Sequence, residues 1–161
     1  MPEAISNTSP LLYLYRIGAL DWLQELFTEV WVPEAVVMEL REGRRKGYEV
    51  PQPEQLEWVK VIKPGSVPSE WLALDLGAGE LAALALALAH RDRIVLLDDG
   101  LARRIGQAAG LTVWGTLKVL LEAKARGWTD SIASHVENLE DSGMWISEEV
   151  RRRVLVLADE G

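Results

Sequence analysis

Oxygen-bearing side chains stand at five positions of the sequence where they could bind a divalent cation. Asn7 follows a short apolar run, and Glu39 and Glu80 lie on predicted helices. Asp98 and Asp99 directly follow an apolar run that predicts a buried strand. Mg²⁺ and Mn²⁺ prefer oxygen ligands and usually keep several waters and a substrate phosphate. Such an ion activates water and stabilises charge on a phosphoryl centre, so the pattern favours metal-assisted hydrolysis, although acidic residues at strand ends are common.

These side chains can meet only if the chain brings distant segments to one edge of a sheet. Short β-rich runs alternate with helical periodicity, and the predicted strands cover residues 2–6, 30–32, 58–62, 94–97 and 111–114. Helices alternating with buried apolar strands predict an α/β fold, a three-layer α/β/α sandwich with a central, mainly parallel sheet. Ligands of such sheets bind beyond the carboxyl ends of the strands, where the candidate side chains lie.

The helix signals vary along the chain. Ser9 and Pro10 indicate the cap and the first residue of a helix, and Pro33 starts another helix. The charged, glycine-punctuated segment 41–55 predicts an exposed, mobile loop, and residues 64–69 resemble a linker. The remaining predicted helices are 21–27, 80–90, one that contains Arg103 and closes at Gly110, 116–126, 130–139 and 147–158.

Length and composition describe one ordinary globular domain over residues 1–161. Of the 161 residues, 48% are hydrophobic, which is enough to form a core without cross-links. The chain has no cysteine and two histidines, which excludes disulfides, thiolate metal sites and a thiol nucleophile and disfavours a histidine-rich metal site. The longest apolar run, residues 81–89, is too short to cross a bilayer, so we expect a cytoplasmic protein without a membrane partner.

The net charge of −8 argues against a protein that binds nucleic acid mainly by neutralising phosphates. A role on nucleic acid therefore requires a local basic patch, a bridging metal ion or a partner. Arg44 and Arg45 follow Glu39, and Arg103 lies in the helix after Asp98, so these three arginines are candidate substrate-binding residues. The alternatives are an ordinary solvated loop for the first two arginines and a surface ion pair for Arg103.

Two hydroxyl residues, Thr8 and Ser9, follow Asn7 at the start of the first predicted helix. Helix capping is the favoured explanation of their position, because a hydroxyl oxygen accepts a hydrogen bond from a free N–H of the first turn. The alternative is that they support the site or bind the substrate.

Four segments, in order along the chain, resemble the motifs of PIN domains. They are residues 5–11 (ISNTSPL), 32–39 (VPEAVVME), 79–87 (GELAALALA) and 96–103 (LLDDGLAR). These segments are similar to a subgroup of prokaryotic PIN-like proteins whose first motif is S-N/D-T-S-P-L, and the glycine-bounded segment 110–127 agrees with that subgroup too. The resemblance covers residues 4–127 clearly and the helical tail, residues 128–161, weakly, which implies a single PIN-like domain.

The resemblance implies a metal-dependent endoribonuclease, which hydrolyses RNA phosphodiesters with a water activated by Mg²⁺ or Mn²⁺. Carried over by position, Glu39, Glu80 and Asp98 match three acids of the PIN motifs, and the adjacent Asp99 could substitute or assist. Similar PIN domains are often VapC-type toxins, so a small antitoxin protein is an expected partner. Related PIN domains form homodimers, for which the apolar first helices are a candidate interface.

Two positions depart from the PIN motifs and leave a second hypothesis open. The first acid, usually aspartate, is Asn7, which acts as a neutral metal ligand, orients the substrate or only holds the turn. The late acid is absent, and Gly115 and Thr116 stand in its place. The alternative function is a catalytically weakened module that binds RNA or a protein partner without cleavage. A phosphatase-like or nucleotide-binding domain is less well supported, because the sequence has no glycine-rich phosphate loop.

Overall fold

The computed structural model describes residues 1–63 and 65–161 of the chain. In these residues the chain forms a five-stranded sheet in which every strand pairing is parallel. The strands are β1 (Ala4–Ser6), β2 (Val30–Pro33), β3 (Val59–Ile62), β4 (Ile94–Leu96) and β5 (Val113–Trp114). Helices pack on both faces of the sheet, so the predicted three-layer α/β/α fold is confirmed.

Eight α-helices surround the sheet in the described part of the chain. They are α1 (Thr8–Arg16), α2 (Trp22–Leu26), α3 (Glu34–Arg45), α4 (Ala78–Ala89), α5 (Gly100–Ala108), α6 (Thr116–Ala125), α7 (Ala133–Asp141) and α8 (Glu148–Leu157). Short 3₁₀ helices occupy Pro53–Gln55 and Ser69–Ala73. None of the helices in the described residues is both long and apolar enough to pass through a bilayer. Pro64, the first residue of the predicted linker, lies outside the described residues, and residues 65–68 form neither helix nor strand.

The strand order β3-β2-β1-β4-β5 places the first strand in the centre of the sheet. Ala4 of β1 pairs with Val30 of β2 on one side and with Ile94 of β4 on the other. The chain therefore builds outward from β1 to β3, crosses back through α4, and continues with β4 and β5 on the other side. The change of direction falls between β1 and β4, and in such sheets a ligand-binding crevice lies beyond the carboxyl ends of these strands.

Successive residues of the central strands enter two separate cores, because side chains alternate between the faces of a sheet. Ala4 and Leu96 belong to the core under α1, α2, α3, α6, α7 and α8, whereas Ile5 and Val95 belong to the core under α4 and α5. All four strand residues are fully buried. The sheet is covered on both faces, as an all-parallel sheet requires, and only its edges and strand ends remain for a site.

The predicted loop over residues 41–55 is wrong in its first part, because α3 continues to Arg45. Arginine and glutamate are strong helix formers, and Glu42 and Arg45 form an ion pair one turn apart at 2.6 Å. A single glycine, Gly43, is tolerated within the helix. The helix stops before Gly47, whose φ of +94° suits a residue without a side chain. The exposed connection is therefore shorter than predicted.

The C-terminal helices are tied to the rest of the fold by the Glu160 carboxylate. Its Oε1 accepts hydrogen bonds from the Ser131 hydroxyl at 2.6 Å and the Ala133 N–H at 3.0 Å. Its Oε2 accepts from the Ile132 N–H at 2.8 Å and the Lys124 ammonium at 2.9 Å. These hydrogen bonds, of which that from Ser131 has the largest effect, lower the pKa of Glu160 to about 2. One carboxylate thus joins α6, the start of α7 and the end of α8.

We expect Glu160→Gln to lower the free energy of unfolding by about 1–2 kcal/mol at pH 7, after allowance for solvent screening. Because the pKa is lowered in the folded state, the stabilisation is complete above the ordinary pKa of 4.5 and disappears as the pH falls towards about 2. Urea unfolding of both proteins at pH 7 and at about pH 3 measures this dependence. A stability difference that stays the same at the two pH values would contradict the prediction.

Candidate functional site

Five helices begin near the carboxyl edge of the sheet, and several of the predicted site residues lie at or just before their starts. Helix α1 follows β1, α3 follows β2, α5 follows β4 and α6 follows β5. Helix α4 is joined to this edge by a hydrogen bond from the Gly79 N–H to Glu39 Oε2 at 3.2 Å. The first turn of a helix presents free N–H groups and partial positive charge, which stabilise carboxylates placed there.

Asn7 and Glu39 form one part of the site. The Glu39 carboxylate joins two helix starts, because Oε1 accepts a hydrogen bond from the Thr8 hydroxyl at 2.5 Å while Oε2 accepts from Gly79. A Cβ on Gly79 would lie 2.2 Å from Glu39 Oε1 and 3.0 Å from Asn7 Oδ1, so the two oxygens face the same small space. Asn7 is 4% exposed, and its Oδ1 has no hydrogen-bond partner in the described residues. A buried amide oxygen without a partner is costly, and a bound water or ion would supply the partner.

Asp98 forms the second part of the site and is held by three hydrogen bonds. Its Oδ1 accepts from the Thr116 backbone N–H at 2.8 Å. Its Oδ2 accepts from the hydroxyls of Thr116 and Ser9, each at 2.7 Å. Asp98 therefore ties the end of β4 to the first turns of α1 and α6. Because a carboxylate oxygen can accept two hydrogen bonds, Oδ1 keeps one position free for a ligand.

Glu80 lies in the first turn of α4, which begins two residues before the predicted start. Its Oε1 accepts a hydrogen bond from the Gly77 N–H at 2.8 Å and so caps the helix. Burial raises the pKa of Glu80; the hydrogen bond from Gly77 opposes this shift, and the carboxylates of Asp99 and Glu39 add to it. Asp99 itself caps α5, since its Oδ2 accepts from the Ala102 N–H at 2.9 Å.

The capping role predicted for Ser9 is wrong, because α1 begins at Thr8 and Asn7 occupies its N-cap position. The Asn7 side chain makes no capping hydrogen bond, so it does not serve to hold the turn in this way. The hydroxyls of Thr8 and Ser9 instead donate to Glu39 and Asp98. Both hydroxyl residues therefore orient acidic side chains of the site.

Comparison with known protein families places nearly the whole chain in one family. A family model described as a PIN domain matches residues 3–160. The chain belongs to the PIN-domain family. PIN domains have a nuclease-type fold, generally use divalent cations and generally act on RNA. No curated protein and no solved structure matches the chain significantly. The narrower subgroup defined by the S-N/D-T-S-P-L motif stays a prediction.

Two candidate substrate-binding arginines of this PIN domain are engaged in local contacts. Arg44 Nη2 donates a hydrogen bond to the Pro51 carbonyl oxygen at 3.2 Å, and the exposed Arg45 pairs with Glu42. Both residues lie in the last turn of α3, beyond Glu39 and away from the start of that helix. Contact of either side chain with RNA stays a prediction.

Arg103 lies closer to the acidic residues of the PIN domain. Its Nη1 donates a hydrogen bond to the Leu97 carbonyl oxygen at 3.0 Å. A Cβ on Gly115 would lie 2.8 Å from this Nη1 and 3.2 Å from Asp98 Oδ1, so the guanidinium borders the free side of Asp98. Of the three predicted arginines, Arg103 is the one that the structure brings to the acidic edge.

The donor atoms present fit a divalent cation held by few protein ligands. Within the described residues, no three His, Cys, Asp or Glu side chains cluster closely enough to form a metal group of their own. Asn7 Oδ1, which has no hydrogen-bond partner, nevertheless faces the same space as Glu39 Oε1. Glu80 lies on the other side of the Glu39 carboxylate, since Glu80 Oε1 and Glu39 Oε2 lie 3.6 and 3.8 Å from the position of a Cβ on Gly77. Mg²⁺ commonly binds through one or two carboxylates, waters and substrate phosphates, so this donor set suffices.

Sequence reasoning did not identify Gly79 as part of the site, nor Thr116 as the partner of Asp98. A glycine directly before Glu80, in a helix otherwise rich in alanine and leucine, is the signal that could have found Gly79, because alanine is the better helix former. Thr116 was recognisable only as the opening residue of a helix. Its hydroxyl is fully buried, and a buried hydroxyl requires a hydrogen-bond partner.

The first two helices bury part of their apolar residues within the protomer. Leu11 and Leu14 of α1 and Leu23 and Leu26 of α2 lie in the core of this PIN domain, whereas Tyr15 of α1 is 41% exposed. A homodimer that uses these helices stays a prediction.

Proposed function

We propose that this PIN domain is an endoribonuclease that depends on Mg²⁺ or Mn²⁺. The observation that supports this function most directly is the buried, unpaired Oδ1 of Asn7, which faces the same space as the Glu39 carboxylate. A bound cation would give the Asn7 oxygen a partner and would compensate the negative charge of the Glu39 carboxylate. The position of Asn7 and Asp98 beyond β1 and β4 is where sheets of this kind bind their ligands. The general action of PIN domains on RNA supports the choice of substrate.

In the proposed mechanism, Asn7 and Glu39 hold the cation. Thr8 and Gly79 keep the Glu39 carboxylate oriented through their hydrogen bonds to its two oxygens. A bound Mg²⁺ or Mn²⁺ supplies positive charge at the phosphoryl centre and lowers the pKa of a water molecule. The side chain of Asn7 contributes a dipole but no charge, so Asn7 orients the cation more than it attracts the cation.

Glu80 and Asp98 have different tasks in this mechanism. The raised pKa of Glu80 makes its carboxylate a better proton acceptor, and Oε2 is the available atom because Gly77 engages Oε1. Asp98 keeps the first turns of α1 and α6 in place and presents the free position of Oδ1 beside Arg103. Asp99 caps α5 through Oδ2 and adds negative charge near Glu80.

The resemblance to VapC-type toxins supports two narrower proposals. The PIN domain is the toxin of a toxin–antitoxin pair, and a small antitoxin protein is its partner. Coexpression with the product of an adjacent small open reading frame tests both proposals. Suppression of RNA cleavage and of growth arrest by that product is the expected result, and a lack of any effect would contradict the pairing.

A module that binds RNA or a protein without cleavage is the second candidate function. Two observations favour it over an efficient enzyme. Asn7 brings no negative charge to the space shared with Glu39, and three of the four hydrogen-bonding positions of the Asp98 carboxylate are already used within the protein.

We expect the wild-type protein to cleave a fluorescently labelled pool of random-sequence single-stranded RNA when Mg²⁺ or Mn²⁺ is present. Glu39→Gln should reduce the rate by roughly 100-fold or more, because it removes the charge that holds the cation. Glu39 is solvent-exposed, so this change should alter the free energy of unfolding by only about 0.5 kcal/mol. Gel analysis of the RNA and urea unfolding of the protein measure the two effects.

Glu25→Gln is the matched control, since Glu25 is an exposed carboxylate on α2 and belongs to the first turn of that helix. It should cleave like wild type. Thermal unfolding with and without Mn²⁺ separates the two candidate functions, since an ion at about 100 times its dissociation constant stabilises by roughly 2.7 kcal/mol. Stabilisation without RNA cleavage favours the binding module. Equal cleavage by Glu39→Gln and wild type would contradict the proposed mechanism.

A further inference from the structure

Gly79 leaves a space at the second helical position of α4 that the Glu39 carboxylate fills. A Cβ at this position would lie 2.2 Å from Glu39 Oε1, far inside the contact distance of a carbon and an oxygen. It would also lie 3.0 Å from Asn7 Oδ1, and Gly79 is itself buried. The φ angle of Gly79 is not positive, so the backbone conformation does not require glycine here.

The backbone of Gly79 contacts the same carboxylate. Its N–H donates to Glu39 Oε2 at 3.2 Å, while the Thr8 hydroxyl holds Oε1. Gly79 therefore donates a hydrogen bond to the Glu39 carboxylate and, because it has no side chain, leaves the space that this carboxylate occupies. Propensity alone favours alanine in a helix, so the contact with Glu39 is what explains glycine at this position.

We infer that Gly79 is a positioning residue, which fixes the Glu39 carboxylate beside Asn7 Oδ1 so that the two oxygens serve one divalent cation. The inference rests on the function proposed above. Gly79 acts through Glu39 and does not itself touch the substrate. A side chain at position 79 would push the carboxylate out of the space and separate it from Asn7.

The fold tolerates this displacement better than the site does. Glu39 is exposed, so its carboxylate can turn into solvent without leaving a buried charge unpaired. The hydrogen bonds from Thr8 and Gly79 would be lost, but alanine would favour the helix. A substitution at position 79 should therefore move the Glu39 carboxylate while it changes the stability of the protein little.

The test is the affinity for Mn²⁺, measured by calorimetric titration of the intact protein without RNA. Gly79→Ala should weaken Mn²⁺ binding by roughly tenfold or more, the range typical for residues that orient a ligand. Its thermal midpoint without metal should stay close to that of wild type. Gly43→Ala is the matched control, because Gly43 is also helical and a Cβ there meets only Val50 at 3.4 Å. The control should bind Mn²⁺ like wild type.

A double-variant cycle shows whether Gly79 acts through Glu39. Glu39→Gln removes the carboxylate charge, so Gly79 has no anionic ligand to position in that variant. Gly79→Ala should therefore weaken Mn²⁺ binding much less in Glu39→Gln than in wild type. Unchanged affinity in Gly79→Ala, or an equal loss of affinity in both backgrounds, would overturn the positioning role. Absence of Mn²⁺ binding by wild type would instead overturn the proposed function on which this role rests.

Discussion

We expect Asp98→Ala to lower the free energy of unfolding by about 2–3 kcal/mol, and Asp98→Asn by about 1 kcal/mol or less. Alanine leaves the buried N–H and hydroxyl of Thr116 and the hydroxyl of Ser9 without their acceptor. Asparagine keeps the shape of the side chain. Its oxygen accepts from the Thr116 N–H, and its amide group donates to the two hydroxyls, which can rotate to become acceptors.

Both substitutions should reduce RNA cleavage by roughly 100-fold or more, because each removes the negative charge of position 98. Asp98→Asn is the more informative variant, since it removes the charge while it retains the contacts that hold α1 and α6. Urea unfolding and the RNA cleavage assay measure the two effects. Asp92→Asn, which changes an exposed carboxylate in the turn before β4, should match wild type in both assays. Wild-type cleavage by Asp98→Asn would restrict Asp98 to a structural role.

We expect Asn7→Asp to tighten Mn²⁺ binding by roughly tenfold or more, because an added carboxylate increases the charge of the ligand set. Without metal, the same change should lower the free energy of unfolding by about 2 kcal/mol. Asn7 is 4% exposed and faces the Glu39 carboxylate, so the new charge would be buried beside another negative charge. Burial and this repulsion raise the pKa of the introduced carboxyl, so the loss of stability is greatest at neutral pH and shrinks as the pH falls.

Thermal unfolding of wild type and Asn7→Asp over a series of Mn²⁺ concentrations, at pH 7 and about pH 5, measures both effects of the substitution. The variant should begin less stable than wild type and gain more from the ion. A variant that loses stability without gaining affinity for Mn²⁺ would show that Asn7 Oδ1 does not face a cation. Asn138→Asp, on α7 and exposed, is the control for the added charge alone.

The strands were predictable because their residues are apolar and β-branched and are bounded by turn residues. Residues 94–97 predict a strand that the structure places at Ile94–Leu96, and residues 30–32 predict one that extends to Pro33. The end of α3 was not predictable in the same way. Its last turns are charged and contain a glycine, so their composition resembles a loop. The helix-forming tendency of arginine and glutamate and the Glu42–Arg45 pair favour the helix instead.

The positions of the acidic residues followed from the rule for strand ends, but their partners did not. Ser9 and Asp98 are 89 residues apart, and their hydrogen bond depends on which helical position Ser9 occupies. A shift of the helix start by two residues turns Ser9 from a cap into a donor to Asp98. Local sequence predicts the start of a helix only to within a few residues. It therefore cannot predict a side-chain contact that depends on the exact helical position of a residue.

The crossover between β3 and β4 divides the site residues into two groups along the chain. The connection contains residues 65–68, which form no regular structure. Asn7 and Glu39 come before these residues, whereas Glu80 and Asp98 come after them. A single break among residues 65–68 would leave Asn7 and Glu39 on one fragment and Glu80 and Asp98 on the other, so neither fragment alone could cleave RNA. Recovery of cleavage on mixing two such fragments would then report directly on their reassembly.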